Sequence, residues 1–220
     1  MRITKIEPQK KNPARRNIYL DGEFAVGVGA ETLIRFGLRT GDEIGADKLK
    51  ALEQTEELSS ARNVALRFLS HRQRSRKEIQ DKLREKEFGE EEINQALDSL
   101  ERAGLVNDAA FARMFARDHL VLRPTGSILL KRKLLMLGVD KATIEEALAD
   151  VMQNVDQKEN AQQAGEKFLR KALAISPAQE KPRLRSKLTQ FLVRRGFGWD
   201  AIESAVAALL ADERLKELKQ

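Results

Sequence analysis

One sixteen-residue pattern is written three times in this chain. "KLREKEFGEEEINQAL" (82–97), "KLLMLGVDKATIEEAL" (133–148) and "FLVRRGFGWDAIESAV" (191–206) share few side chains but one spacing of apolar residues. Ile93, Ala96, Leu97 and Leu100 stand at i, i+3, i+4 and i+7, which is one face of a helix. Ile144, Ala147, Leu148 and Val151 repeat that spacing, as do Ile202, Ala205, Val206 and Leu209. Leu83, Leu134 and Leu192, on the helix before, each lie ten residues ahead of the isoleucine. Recurrence after 51 and then 58 residues marks tandem units of one supersecondary design.

A further amphipathic stretch precedes each copy, sharing Phe68, Phe115 and Phe168, so each unit reads as three helices. The added length falls in the joint before the second helix, where Pro124, Pro177 and Pro182 are tolerated. A unit of about 50 residues buries little by itself, and the apolar seam is expected to let each unit stack on the next. Composition agrees: 34% of residues are charged and 5% aromatic, too little bulky apolar material for one thick core. The expected fold is mainly α, with three tandem three-helix repeats forming an elongated, curved body behind a small β-containing N-terminal element. The expected boundaries are 1–57, 58–107, 108–155 and 156–220.

Local signals fill in the units. Gly138 and Gly196 end their helices as left-handed caps, and Glu87 occupies the same place in the first copy, at a cost of roughly 1 kcal/mol relative to glycine. Ser75 and Glu78 have capping-box spacing. In the N-terminal element, Asp21–Gly22 between β-prone runs predicts a hairpin. "AETLIRFG" predicts a short helix stopped at Gly37, and "LRTGDEIGADKLKALEQTEE" a turn and another short helix.

Motifs for catalysis are absent. Without cysteine there are no disulfides, thiol nucleophiles or thiolate metal sites. His71 and His119 are far apart in sequence, with no partners converging on them. "GVGAET" (27–32) lacks the third glycine of a nucleotide-binding turn and reads as a strand entering a helix. Glu90, Glu91 and Glu92 open a helix, where carboxylates suit the dipole. No apolar run approaches the ~20 residues of a membrane span, and no signal-peptide core follows the N-terminus. A non-enzymatic, cytoplasmic protein without cofactor is expected.

Charge is what remains. The net charge is +6. Nine Lys/Arg face three Asp/Glu from Arg62 to Lys86, six face one from Arg113 to Lys133, and nine face one from Lys167 to Arg195. The third helices are acidic in the first two units and less so in the third. Stacked in similar orientation, the basic joints would form a stripe suited to a polyanion; unstacked, they are the solvated surface of a basic protein. The candidate binding residues are Arg72, Arg74, Arg76 and Lys77, then Arg123, Lys131, Arg132 and Lys133, then Arg183, Arg185, Arg194 and Arg195. Aromatic residues are sparse, so contacts to single- or double-stranded DNA would be to phosphates. The alternative is a helix-turn-helix-like DNA-binding protein, against which the acidic third helices speak.

"SRKEIQDKLREKEF", "INQALDSLERAGLVNDAAFARMFARD" and "GSILLKRKLLMLGVDKATIEEAL" resemble the RecX family, regulators of the RecA recombinase. The resemblance is clear from Ser59 to Val151. The family's Asp-x-x-Phe-Ala signature falls on Asp108, Phe111 and Ala112, and a glycine is usual where this chain has Glu87. It implies tandem three-helix repeats lying in the groove of the RecA–DNA filament, acting as a monomer. It further implies inhibition of strand exchange, ATP hydrolysis, coprotease function and filament growth. Asp108 is expected to cap the helix it opens, and Phe111 to anchor that helix on the preceding unit.

Overall fold

A computed structural model describes residues 1–10, 12–175 and 180–211; Pro177 lies outside them. They form two compact units. The first comprises Met1–Arg74 and Glu78–Val106; the second comprises Asn107 onward together with Ser75–Lys77.

In the first unit, β1 (Ile3–Pro8), β2 (Arg15–Leu20) and β3 (Glu23–Gly29) make an antiparallel sheet in the order β1-β2-β3. The predicted hairpin joins β2 to β3, with Asp21 and Gly22 both at positive φ, 51° and 95°. Helix α1 (Ala30–Phe36) follows and stops at left-handed Gly37, as expected. The next helix departs from expectation. Instead of a short helix and a separate first repeat helix, α2 runs unbroken over Ala46–Leu69. No Gly or Pro occurs between Gly45 and Ser70, and good helix formers carry the helix across the boundary expected at 57/58.

Glu56, in the middle of α2, clamps the sheet. It is buried, pairs with Arg15 at 2.7 Å, and accepts from the Gly29 backbone N–H and the Thr32 hydroxyl, both at 2.9 Å. The carboxylate thus occupies the start of α1, where a glycine-rich nucleotide turn would hold its phosphate. The reading of "GVGAET" as a strand entering a helix holds.

Helices α3 (Arg76–Glu85) and α4 (Glu90–Arg102) complete the first repeat. The second unit holds α5 (Asp108–Leu122), α6 (Ser127–Met136) and α7 (Lys141–Met152). It continues with α8 (Gln157–Ile175), α9 (Lys181–Arg194, with Pro182 in its first turn) and α10 (Trp199–Leu209). These are ten helices among the described residues.

The seam residues are buried in all three copies, Leu83, Ile93, Ala96, Leu97 and Leu100; Leu134, Ile144, Ala147 and Leu148; Leu192, Ile202, Ala205, Val206 and Leu209, except Val151, which is half-buried. Each set belongs to a separate apolar cluster. The seam is therefore the internal core of each repeat rather than the surface by which repeats stack. Phe111 likewise sits in the core of its own repeat, with Leu130 and Ile144.

The left-handed corners explain how the second helix hands over to the third. Gly138 and Gly196 have φ of 82° and 77°. Val139 N donates to Leu134 O at 3.1 Å and Phe197 N to Leu192 O at 3.3 Å, closing the helix ends. Both corners also receive a helix start. Ser75 Oγ, ahead of α3, donates to Leu137 O at 2.6 Å, and the Lys77 stem crosses Gly138 so closely that a Cβ there would overlap it. Ahead of α6, Gly126 N donates to Arg195 O at 3.0 Å and Ile128 N to Gly196 O at 3.1 Å. A Cβ on Gly196 would overlap the Leu129 backbone. Glycine thus meets two demands, positive φ and close approach.

Glu87 adopts the expected left-handed conformation, φ 62°, yet its side chain is exposed. Only the first demand applies to it, which is why a side chain is tolerated. Glu87→Gly should therefore stabilise the protein by about 1 kcal/mol. Gly196→Ala should cost about 2–4 kcal/mol, strain and overlap combined. Urea unfolding of the two variants checks both signs.

Candidate binding site

The twelve candidate cations divide into those the fold uses and those it leaves open. In the first joint, Arg72 and Arg74 both pair with Glu78, at 2.5 and 3.4 Å. Arg74 also lies over the Phe68 ring at 3.8 Å and is largely buried, so it packs rather than reaches out. Arg76 gives its backbone N–H to Asp108 Oδ1 at 2.8 Å, and Lys77 Nζ donates to Met136 O at 3.3 Å. Lys131 bonds Glu145 at 2.8 Å and holds that carboxyl below the usual glutamate range. Lys133 Nζ lies 3.1 Å from His119 Nε2, while His119 Nδ1 is 2.9 Å from Phe115 O. A neutral His119 protonated on Nδ1 satisfies both contacts.

Arg123, Arg132, Arg183, Arg185 and Arg194 are exposed, and none pairs with a carboxylate among the described residues. The third helices account for this difference. In the second repeat, Glu146 and Asp150 of α7 pair with Arg113 and Arg117 of α5. In the third, α10 carries only Asp200 and Glu203, and Asp200 pairs with Lys158 at the start of α8. Farther along α8, Arg170 pairs with Glu166 of its own helix, while Arg183, Arg185 and Arg194 of α9 meet no carboxylate of α10 among the described residues.

Several of these bases converge. A groove of about 750 Å³ runs between α8 and α9. Lys167 and Lys171 line it from α8, and Lys187, Arg194 and Arg195 from α9 and its cap. No Asp or Glu among the described residues lines it. Phe168 and Phe191 stack at 4.5 Å, 16° apart, on its floor. Arg195 is half-buried over the Phe191 ring, with Nε lacking a hydrogen-bond partner among the described residues. Burial pushes its pKa below the usual arginine value, and nearby Arg123 adds to the shift.

Sequence reasoning singled out Arg194 and Arg195 but missed Lys167, Lys171 and Lys187. The excess of bases from Lys167 to Arg195 was the available signal. Which of them share a groove depends on how α8 and α9 face each other. No group of three or more His, Asp or Glu among the described residues could hold a metal ion, and no helix there is long and apolar enough to cross a membrane.

Fold and groove together define a tandem three-helix-repeat protein with a cationic groove. Four family models match in order: the regulatory protein RecX N-terminal domain over residues 1–45, and the first, second and third three-helix domains of RecX over 61–100, 107–148 and 156–206. Regulatory protein RecX of Bacillus subtilis (strain 168) is 35% identical, over 93% of this chain and 75% of its own. That of Clostridioides difficile (strain 630) is 33% identical, over 94% and 95%. A crystal structure of regulatory protein RecX superimposes with a TM-score of 0.72 at 29% identity, covering 93% of this chain and 98% of the other. RecX from Lactobacillus salivarius gives 0.60 at 26%, covering 70% and 97%. The chain belongs to the RecX family of regulatory proteins.

The signature residues have structural roles, though not the one expected of Asp108. Asn107 caps α5, its Oδ1 accepting from Ala110 N at 2.9 Å. Asp108, one residue on, instead accepts from Arg76 N and so caps α3. Phe111 and Ala112 are buried in the core of the second repeat. Asp108→Ala and Asn107→Ala should each cost about 1–2 kcal/mol in urea unfolding, because they cap different helices. Were Asp108 the cap of α5, Asn107→Ala would be nearly silent.

Proposed function

We propose that this protein binds the RecA–DNA filament as a cytoplasmic monomer and restrains the recombinase. The activities held back would be strand exchange, ATP hydrolysis, coprotease function and filament extension, with no chemistry of its own. Family membership supports the regulatory role. The observation that carries the binding mode is the set of unquenched cations on the second unit: Arg123, Arg132, Arg183, Arg185, Arg194 and Arg195. They would meet DNA phosphates, single- or double-stranded, or acidic recombinase surface. Arg72, Arg74, Lys77, Lys131 and Lys133 contribute less, being engaged within the fold. Reading of a duplex by the third helices is disfavoured, since α4 opens with Glu90, Glu91 and Glu92, and α7 carries Glu145, Glu146 and Asp150.

The triple reversal Arg183→Glu, Arg185→Glu and Arg194→Glu should weaken inhibition of RecA ATP hydrolysis on single-stranded DNA about tenfold or more. Reversal of Arg72 and Arg74 should weaken it less. Undiminished inhibition by the triple variant would remove these residues from the interface. Binding to single-stranded DNA alone should weaken with salt at a log–log slope of roughly −0.7 per phosphate neutralised. A flat slope would reassign the cations to protein contacts.

A further inference from the structure

The groove between α8 and α9 differs from a plain cationic patch because its floor is apolar. Ala164, Phe168, Ala172, Ile175, Phe191 and Pro124 form it beneath the five bases. Ile175, at the end of α8, is 76% exposed. A phosphate backbone needs the bases but has no use for such a floor. Nor does the floor offer a stacking platform for nucleobases. Phe168 and Phe191 stack on each other, and the Arg195 guanidinium also lies over the Phe191 ring, 5.5 Å from its centre.

The geometry points to a different occupant: an acidic, amphipathic segment of a protein partner, its aliphatic or aromatic side chains on the floor and its carboxylates on the rim. This rests on the filament-binding reading above only in taking the target to include protein, and it selects protein over DNA for this groove. The rim is arranged for it. Lys167 and Lys171 stand one helical turn apart on one wall, and Lys187 and Arg194 stand two turns apart on the other. Arg195, half-buried over the Phe191 ring with Nε lacking a partner among the described residues, would be satisfied by a carboxylate set against it. The groove volume is that of a site taking a few anchoring side chains, as in helix-in-groove recognition.

The test uses the full chain and a fluorescein-labelled synthetic peptide of about sixteen residues, with glutamates on one helical face and Leu and Phe at i, i+3, i+4 and i+7 on the other. Fluorescence anisotropy should show saturable binding. Ile175→Asn should weaken it about tenfold or more, as should Lys167→Glu with Lys171→Glu, or replacing the peptide's Leu and Phe by Ala. These positions are exposed, and circular dichroism of each variant confirms that the fold is kept. Absence of saturable binding overturns the inference. So does binding indifferent to Ile175→Asn and to loss of the apolar anchors, which would be bare charge attraction. Displacement of the peptide by oligo(dT), with oligo(dT) affinity itself reduced by Ile175→Asn, also overturns it in favour of nucleic acid.

Inhibition of RecA ATP hydrolysis is measured in parallel. A wild-type protein that inhibits but does not bind the peptide overturns the groove assignment alone. One that binds the peptide but leaves the recombinase uninhibited overturns the filament reading alone.

Discussion

The second helix of each repeat ends on a residue in the left-handed conformation, and that backbone turn carries the rest of the design. It closes the helix by bonding its last carbonyls, and it turns the chain so that the third helix can lie along the first. At Gly138 and Gly196 the bare α-carbon has a second use, admitting Lys77 and Leu129 to a distance that no side chain would permit. Ser75 and Asp108 add hydrogen bonds at the start of α3, and the backbone N–H groups of Gly126 and Ile128 do the same around the start of α6. A packed corner is thus built from backbone groups and small residues. The apolar seam stays inside its own repeat.

Charge is distributed by the same three-helix logic. Acids on the third helix face bases on the first and second, and they decide how much positive charge reaches the surface. In the second repeat, Glu145, Glu146 and Asp150 absorb Lys131, Arg113 and Arg117. In the third, α10 carries only Asp200 and Glu203, and no Asp or Glu among the described residues lines the α8–α9 groove. A +6 net charge says little about where a polyanion or acidic partner would bind. Among the described residues, the pairing pattern leaves Arg183, Arg185 and Arg194 of the third repeat without a carboxylate.

Much of the fold was legible because its signals are local. The hairpin at Asp21–Gly22, the stop at Gly37, the seam and the left-handed Glu87 each follow from residue type and spacing over a few positions. The continuous α2 crosses the boundary expected at 57/58 because no residue between Gly45 and Ser70 breaks a helix. The role of Asp108 was misassigned because a carboxylate at a helix start is ordinarily read as its own cap. Its acceptor reaches Arg76, 32 residues earlier in the chain.

The site was less legible than the fold, for a physical reason. A run of bases in sequence contains those that pack on phenylalanine, those that pair with an acid and those that remain free, and nothing local separates Arg74 from Arg194. By itself the sequence determined the helical repeat, its period, its buried seam and the positions where backbone must turn left-handed, since all are short-range consequences of side-chain periodicity and φ preference. Only the tertiary structure decided which cations are quenched, that Lys167, Lys171 and Lys187 share a groove with Arg194 and Arg195, and that Gly138 and Gly196 must be bare where Glu87 need not be. Those properties depend on which surfaces meet, and that depends on how whole helices pack.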